Sequence, residues 1–546
     1  MDYFSQPLDT KTLLRKKKSI KKELLASDIV WIEKKIAILG GSTTNEVADQ
    51  LELFLLHQGI KANFYQSEYG KFYEDAVFGN PGLDEFCPDI VYIHTNWRNI
   101  KEFPSINSSL EEAEALLRQE YERFAAAWEA LRKRYGCLII QNNFDRPDYR
   151  LLGNRDIWDF RGRSNFIFRL NQLFYTYAQK SESFFINDID YIAQEYGLSE
   201  WGNPLYWYMY KYACCLDAIP YVAWSVANIV KSVYGKNKKL LALDLDNTLW
   251  KGVIGDDGVE GIEVGPETPG GQAYHDFQKY CKDLQRIGVL LAVDSKNNEH
   301  AALEGLGHPD GVLKKEDFVS IQANWEPKSD NLMRIAKELS LGVESFVFVD
   351  DNPAEREIVK SQLPMVEAPV MDHPEKFIKT LDHCGYFEPT IFSSEDADKT
   401  EQYRARSEAI REQARFANYE EYLSSLEMKA VIAGFEPIYI QRIAQLTNKT
   451  NQFNLTTLRL NADELKKMYE SGNYICLCGR LIDKFADNGI VSVAAGEIEK
   501  DVLHIRLWLM SCRVLKRGME FLMMNTLLEE TAKKGLKKIM GYYYPA

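Results

Sequence analysis

Short apolar runs at residues 36–39, 90–93, 137–140 and 184–186 alternate with longer stretches whose apolar residues recur at helical spacing. That alternation predicts a parallel sheet flanked by helices. A second alternation opens at Leu240, just after the polar, basic stretch 235–239, and continues to about Phe387. A third block follows the charged stretch 393–415; it predicts several strands between Tyr474 and Leu509, then a helix over residues 519–534. The pattern sets boundaries at 1–33 for a basic helical segment, 34–235 and 236–392 for two α/β domains, 393–425 for a helical connection, and 426–546 for an α+β domain. No repeat of fixed period is present, which sets aside a solenoid.

The 546 residues, 45% of them hydrophobic and 27% charged, suffice for several cores. The formal net charge of −14 gives no global positive field for nucleic acid or an anionic membrane, so neither is expected as a partner. No apolar stretch reaches the roughly 18 residues a membrane span needs, and the first residues show no export signal, so a cytoplasmic location is expected. Nine cysteines are sparse over this length; Cys214–Cys215 and Cys476/Cys478 lack a matching second pair, so reduced thiols are expected, not zinc. The lysine-rich segment 11–22 reads as an amphipathic helix packed on its own chain, with a partner-binding arm as the alternative.

Candidate chemistry lies in the central block. A strand over 240–243 ends in Asp244-Leu245-Asp246; acids on alternate residues share a face, at the edge where open α/β sheets carry their sites. A second apolar run ends in Asp294-Ser295, Lys328 opens a helical segment, and a third run ends in Asp350-Asp351. A carboxylate can attack phosphorus and split one difficult displacement into two, the role expected of Asp244. Asp246 is placed to act as general acid and base. Acids gathered at one sheet edge need a hard cation, which Mg²⁺ supplies with oxygen ligands; the expected set is Asp244, the backbone carbonyl of Asp246, Asp350 and Asp351. Ser295 and Lys328 are expected to bind phosphoryl oxygens.

Asp-x-Asp, serine, lysine and paired acids in this order resemble the haloacid-dehalogenase-like (HAD) phosphotransferase superfamily. The first two intervals, Asp244 to Ser295 and Ser295 to Lys328, are 51 and 33 residues, too short for a large cap domain. An open site admitting large substrates is therefore expected. The stretches 244–258, Ser295-Lys296-Asn297-Asn298, Asn324-Trp325-Glu326-Pro327-Lys328, 350–357, 449–457 and 510–515 are more specific, and resemble the FkbH family, HAD subfamily IIIC. The resemblance covers at least residues 240–544. It implies an association with polyketide or other secondary metabolism, and in some members the loading of a glyceryl unit from 1,3-bisphosphoglycerate onto an acyl carrier protein. Many members carry cysteine between the two motif acids, where this chain has Leu245. Cys512, the nearest thiol within a matched stretch, reads as a buried structural residue.

The last block resembles a GNAT acyltransferase-like domain, whose glycine-rich loop and helix N-terminus cradle an acyl-CoA pyrophosphate. Arg513 and Gly518 occupy that place, Lys516 stands where glycine is usual, and the fold would continue beyond Tyr544 through another helix and strand. The resemblance implies a site for acyl-CoA or phosphopantetheine. The first block resembles an SGNH-hydrolase or flavodoxin-like domain, with Ser42 in the nucleophile's place and Asn96 in the oxyanion site's. No histidine follows His94 before His275, so this block reads as a degenerate hydrolase and Ser42 as a helix cap. Three functions stay open. The first is a Mg²⁺-dependent phosphatase working through an aspartyl-phosphate. The second is glyceryl or acyl transfer to a carrier protein, docked by basic patches at 11–22 and around Lys516. The third is a non-catalytic docking scaffold.

Overall fold

The four apolar runs of the first block each fall in a strand of one sheet. The protein is described here from a computed structural model covering residues 3–27, 29–390, 400, 401, 403, 418–450, 453–484, 487–511 and 514–544. The chain divides into two compact units, one of residues 1–4 and 8–231, the other of residues 5–7 and 232–546.

The first unit holds β1 (Ile32–Gly40), β2 (Ile60–Gln66), β3 (Ile90–His94), β4 (Leu138–Asn142) and β5 (Phe184–Asn187), all parallel, in the order β2-β1-β3-β4-β5. β3 and β4 are buried throughout, as strands covered by helices on both faces must be. β2 escaped the sequence reading because it is an edge strand whose polar residues alternate with Ile60 and Ala62, so it shows no continuous apolar run. Ala37, Leu39, Val91, Ile93 and Ile139 meet Phe124, Trp128 and Phe174 on one face of the sheet.

The basic segment is a helix, Thr10–Leu25, that buries Leu13 and Ile20. Lys17 reaches Glu46 at 2.8 Å and Asp49 at 2.7 Å, and Lys21 reaches Glu52 at 2.7 Å. These acids lie on the helix Asn45–His57 of the same unit, so the helix packs on its own chain and this part of its basic face is already paired. Ser42 does not cap Asn45–His57. Thr44 occupies the N-cap, and its hydroxyl donates to Gln66 Oε1 at 2.8 Å.

In the second unit, β6 (Leu240–Leu243), β7 (Leu290–Ser295), β8 (Phe318–Ala323) and β9 (Phe346–Val349) form a parallel sheet in the order β8-β7-β6-β9. Side chains alternate between two cores. Leu241, Leu243, Leu291, Val293, Val347 and Val349 pack with Phe277 and Phe377. Leu240, Ala242, Ala292, Phe346 and Phe348 pack with Leu332, Ile335 and Leu339. Each fully buried leucine of β6 contributes about 1.5–3 kcal/mol, so the strand that delivers the motif acids is held from both faces. The helices Ile254–Gly261 and Pro269–Arg286 fill the interval between β6 and β7 and send Ile254, Tyr274 and Phe277 into the first core. Among the described residues no cap domain interrupts this sheet.

The same unit carries a second sheet, β10 (Lys429–Gly434), β11 (Tyr474–Ile482), β12 (Asp487–Glu499), β13 (Val502–Met510) and β14 (Lys538–Gly541), in chain order. Its pairings are antiparallel except β13 with β14, the mixed α+β arrangement expected of the last block. The helix Met519–Lys533 packs Met519 and Met523 onto this sheet, the Met519 methyl lying over Gly479 of β11. Most of the expected connection 393–425, together with Cys512 and Arg513, lies outside the described residues.

Candidate active site

β6 ends against β9, the Asp244 N–H donating to Val349 O at 2.9 Å, so the loops after these two strands emerge side by side. The carboxylates of Asp244, Asp350 and Asp351 consequently converge, with one oxygen of each within 4.8 Å of the others. Ser295 ends β7, and Lys328 opens the helix Lys328–Leu339. The structure thus places three of the expected elements at the carboxyl edge of one sheet and the fourth on the helix following β8.

Lys328 is the hub of the charge pattern. Its Nζ lies 2.9 Å from Asp244 Oδ1 and pairs also with Asp350. Burial alone would lower its pKa, but the attraction of Asp244 and Asp350 outweighs it and holds the ammonium above the ordinary lysine range. Asp350 is pushed up to about 6 by burial and by the Asp244 charge, against the pull of Lys328. Asp351 is raised for the first two reasons.

Asp246 is held differently. Oδ1 accepts from Trp250 Nε1 at 2.8 Å and from the Ile254 N–H at 3.0 Å, and Oδ2 accepts from Asn297 Nδ2 at 2.8 Å. The carboxylate is therefore fixed by three donors and is not one of the three that converge. Leu245, between the two acids, points the opposite way and is fully buried in the first core. A side chain at this position belongs to the interior.

Several supporting residues were not singled out from sequence. Arg356 Nη1 donates to the carbonyls of Asp350 at 2.7 Å and Asp351 at 2.8 Å, while Nη2 pairs with Asp372 at 2.7 Å, which clamps the acidic loop. Thr248 Oγ1 accepts from the Asp351 N–H at 3.2 Å. Asn331 Nδ2 donates to Asp294 Oδ1 at 3.0 Å and to Asn324 Oδ1 at 3.1 Å, joining the helix of Lys328 to the ends of β7 and β8. Asp294 is fully buried, and its Oδ2 has no hydrogen-bond partner. Burial, reinforced by Asp244 and Asp350 and opposed by Lys328 and Asn331, pushes its pKa up to about 8. Asn297 and Arg356 sit inside the sequence stretches that carry the FkbH resemblance; Asn331 and Asp294 had no comparable signal as functional groups.

The other expected sites are incomplete. Gly518 has φ 83° at the start of its helix, and Lys516, at φ 64°, adopts the left-handed backbone that favours glycine. Arg513, expected beside them, lies outside the described residues. In the first unit, Asn96 caps the turn Trp97–Asn99, and Ser42 Oγ is buried without a hydrogen-bond partner. His94 is buried between Tyr92 and Asn142, with its pKa lowered to about 4 by burial. Among the described residues no helix is long and apolar enough to cross a membrane.

Residues 35–231 match a family profile described as FkbH, N-terminal domain. This stretch lies outside the motifs at 244–258, 295–298, 324–328, 350–357, 449–457 and 510–515 that resemble the FkbH family. Among solved structures, the N-terminal part of the protein BF1531 from Bacteroides fragilis, containing a phosphatase domain complexed with Mg, shares 28% identity at a TM-score of 0.62. The match covers 69% of this chain and 99% of that chain. The ribosomal-protein-S18-alanine N-acetyltransferase of Escherichia coli aligns at 10% identity over 20% of this chain and 64% of that chain, with a TM-score of 0.17, too slight to argue from. No curated protein matches the chain significantly. Residues 35–231 thus carry an FkbH N-terminal domain, and the sheet that bears the four motif elements has the HAD-like fold of the Bacteroides fragilis structure.

Proposed function

We propose that this chain is a Mg²⁺-dependent phosphotransfer enzyme that forms an aspartyl-phosphate on Asp244. The observation that carries the reading is the convergence of Asp244, Asp350 and Asp351 around the buried Lys328. Three carboxylates with an oxygen each inside 4.8 Å make an all-oxygen donor set that suits a hard divalent cation, and the phosphatase-domain structure from Bacteroides fragilis was determined with Mg. Asp244, Asp350 and Asp351 would hold it, with the Asp246 carbonyl as the remaining protein ligand. Bound there, Mg²⁺ supplies positive charge against the phosphoryl oxygens and lets anion and carboxylate approach.

The protein's own groups do the rest. A carboxylate oxygen of Asp244 attacks phosphorus as the bond to the leaving oxygen breaks, and that oxygen takes a proton from Asp246. Asp246 then removes a proton from water or another acceptor. The acceptor oxygen attacks the aspartyl-phosphate, releasing the phosphoryl group and restoring Asp244. Lys328 and Ser295 hold phosphoryl oxygens, and Lys328 keeps Asp244 aligned before substrate arrives.

The FkbH N-terminal domain supports a second reading, in which an acyl phosphate donates a glyceryl or other acyl unit to the phosphopantetheine thiol of an acyl carrier protein. Its implied acyl-CoA or phosphopantetheine site would lie at Lys516–Gly518. The test is to supply 1,3-bisphosphoglycerate, Mg²⁺ and a phosphopantetheinylated carrier, then measure both free phosphate and the carrier's mass. Phosphate release without a mass increase supports hydrolysis, and a glyceryl-sized increase supports transfer. Asp244→Asn is expected to abolish both while preserving the fold; retained turnover sinks the proposal. A chain that binds the carrier but neither releases phosphate nor takes up Mg²⁺ is a docking scaffold.

A further inference from the structure

In the first unit the strand order makes a crevice between the carboxyl ends of β1 and β3, because the connections from these neighbours run to opposite sides of the sheet. The loop after β1 carries Gly41-Ser42-Thr43, and the loop after β3 carries residues 95–99. Gly41 N–H donates to His94 O at 3.0 Å and Asn99 Nδ2 donates to Gly41 O at 2.8 Å, so the two loops are tied together. Thr43 joins a third segment, its N–H donating to Lys211 O at 3.0 Å and its hydroxyl to Tyr210 O at 2.6 Å.

Arg98 stands where these segments meet. Its guanidinium carbon lies 4.4 Å from the ring centroid of Trp97 and 4.9 Å from that of Trp207, so two indoles lie against it. Trp97 is itself fixed, its N–H donating to Asp145 Oδ1 at 3.0 Å while Asp145 Oδ2 accepts from Trp201 Nε1 at 2.7 Å. Among the described residues, the Arg98 side chain makes no hydrogen bond and no ion pair. Asp145, the acid whose charge it stabilises from a distance, has both oxygens occupied. The guanidinium thus packs against indole rings while its N–H groups, the part that recognises oxyanions, stay uncommitted. The two loops beside it add further unspent donors, Ser42 Oγ and Asn96 Nδ2, both buried without a partner.

We propose that this crevice is a second ligand site, in which Arg98 binds an oxyanion, either a carboxylate or a phosphoryl group. Ser42 Oγ and Asn96 Nδ2, on the two loops that border it, are donors without a partner, and a bound anion would satisfy them together with the guanidinium.

The test uses the full chain without Mg²⁺, titrated separately with potassium phosphate and potassium acetate at constant ionic strength. Binding is read by calorimetry and by tryptophan fluorescence, since two indoles lie against the guanidinium. Saturable binding of one anion or both is expected, and the anion that binds identifies the group recognised. Arg98→Met, which keeps an unbranched stem against the indoles, should weaken binding by at least about tenfold, the scale of a lost charged hydrogen bond. Ser295→Ala, in the second unit, should leave it unchanged. No saturable binding, binding indifferent to Arg98→Met, or binding lost with Ser295→Ala would each overturn the proposal; the last would assign the anion to the central site. If Arg98→Met fails to fold by circular dichroism, Asn96→Asp replaces it. That variant preserves the cap and puts an anion beside the crevice, and unchanged affinity in it counts equally against the site.

Discussion

Lys328 Nζ lies 2.9 Å from Asp244 Oδ1, and neither side chain is more than a tenth exposed. A buried ammonium that also pairs with Asp350 is the counter-charge that lets these acids coexist without a cation. Lys328→Met should therefore abolish turnover and destabilise the metal-free protein by about 3–5 kcal/mol, the cost of leaving a buried charge unpaired. Millimolar Mg²⁺ should recover part of that loss by binding only the folded chain. Urea denaturation with and without Mg²⁺ measures both; a variant as stable as wild type in the absence of metal would refute the role.

Asp294 predicts a pH dependence of stability. Its pKa is pushed up to about 8, so the folded chain keeps a proton that the unfolded chain releases near the ordinary value of 3.8. Between these values the folded state binds more protons, and stability falls as pH rises. Asp350, pushed up to about 6, contributes to the lower part of the window. The melting temperature of metal-free protein should decline from pH 6 to pH 8 by several degrees, and Asp294→Asn should flatten that decline. Parallel curves would mean that Asp294 is ionised throughout.

Asn297 donates to Asp246 Oδ2 at 2.8 Å, and among the described residues its side chain makes no hydrogen bond to the converging acids. Asn297→Ala should leave the fold and KM nearly unchanged while kcat falls about 10–100-fold, the usual penalty for losing an orienting partner. An unchanged kcat in steady-state phosphate release would show that Trp250 and the Ile254 N–H suffice to aim Asp246.

Leu245→Cys tests whether a thiol between the motif acids can hold an acyl group. Leu245 is fully buried, so the shorter side chain should cost about 1–3 kcal/mol in urea denaturation, below a full leucine-to-alanine truncation. The new thiol should react slowly with a water-soluble disulfide reagent. Acyl adducts on the variant after incubation with 1,3-bisphosphoglycerate would show that this position reaches the site after all.

The strands that deliver the chemistry are legible because parallel strands buried on both faces leave continuous apolar runs; β7 ends in its motif serine, and β6 and β9 each stop one residue before their motif acids. β2 is not, because one edge of it is free and its polar residues break the run. The motif residues could be named from order and spacing alone. Asn331, Arg356 and the raised pKa of Asp294 could not, since they depend on which loops a sheet brings together and how deeply it buries them. Serine before a helix is the ordinary sign of a cap, yet Thr44, two residues closer to the helix start, takes that position in place of Ser42.

Asp244 and Asp246 project from the edge of β6 while Leu245 between them is sunk in the core. The course of the backbone that carries Asp244 is thus set in part by hydrocarbon packing on the far side of the chain. A change in oil-like contacts around Leu245 would swing both acids at once, like the two tines of a fork turned by its handle. Loss of activity with all the polar residues intact is therefore the expected signature of a mutation in that part of the interior.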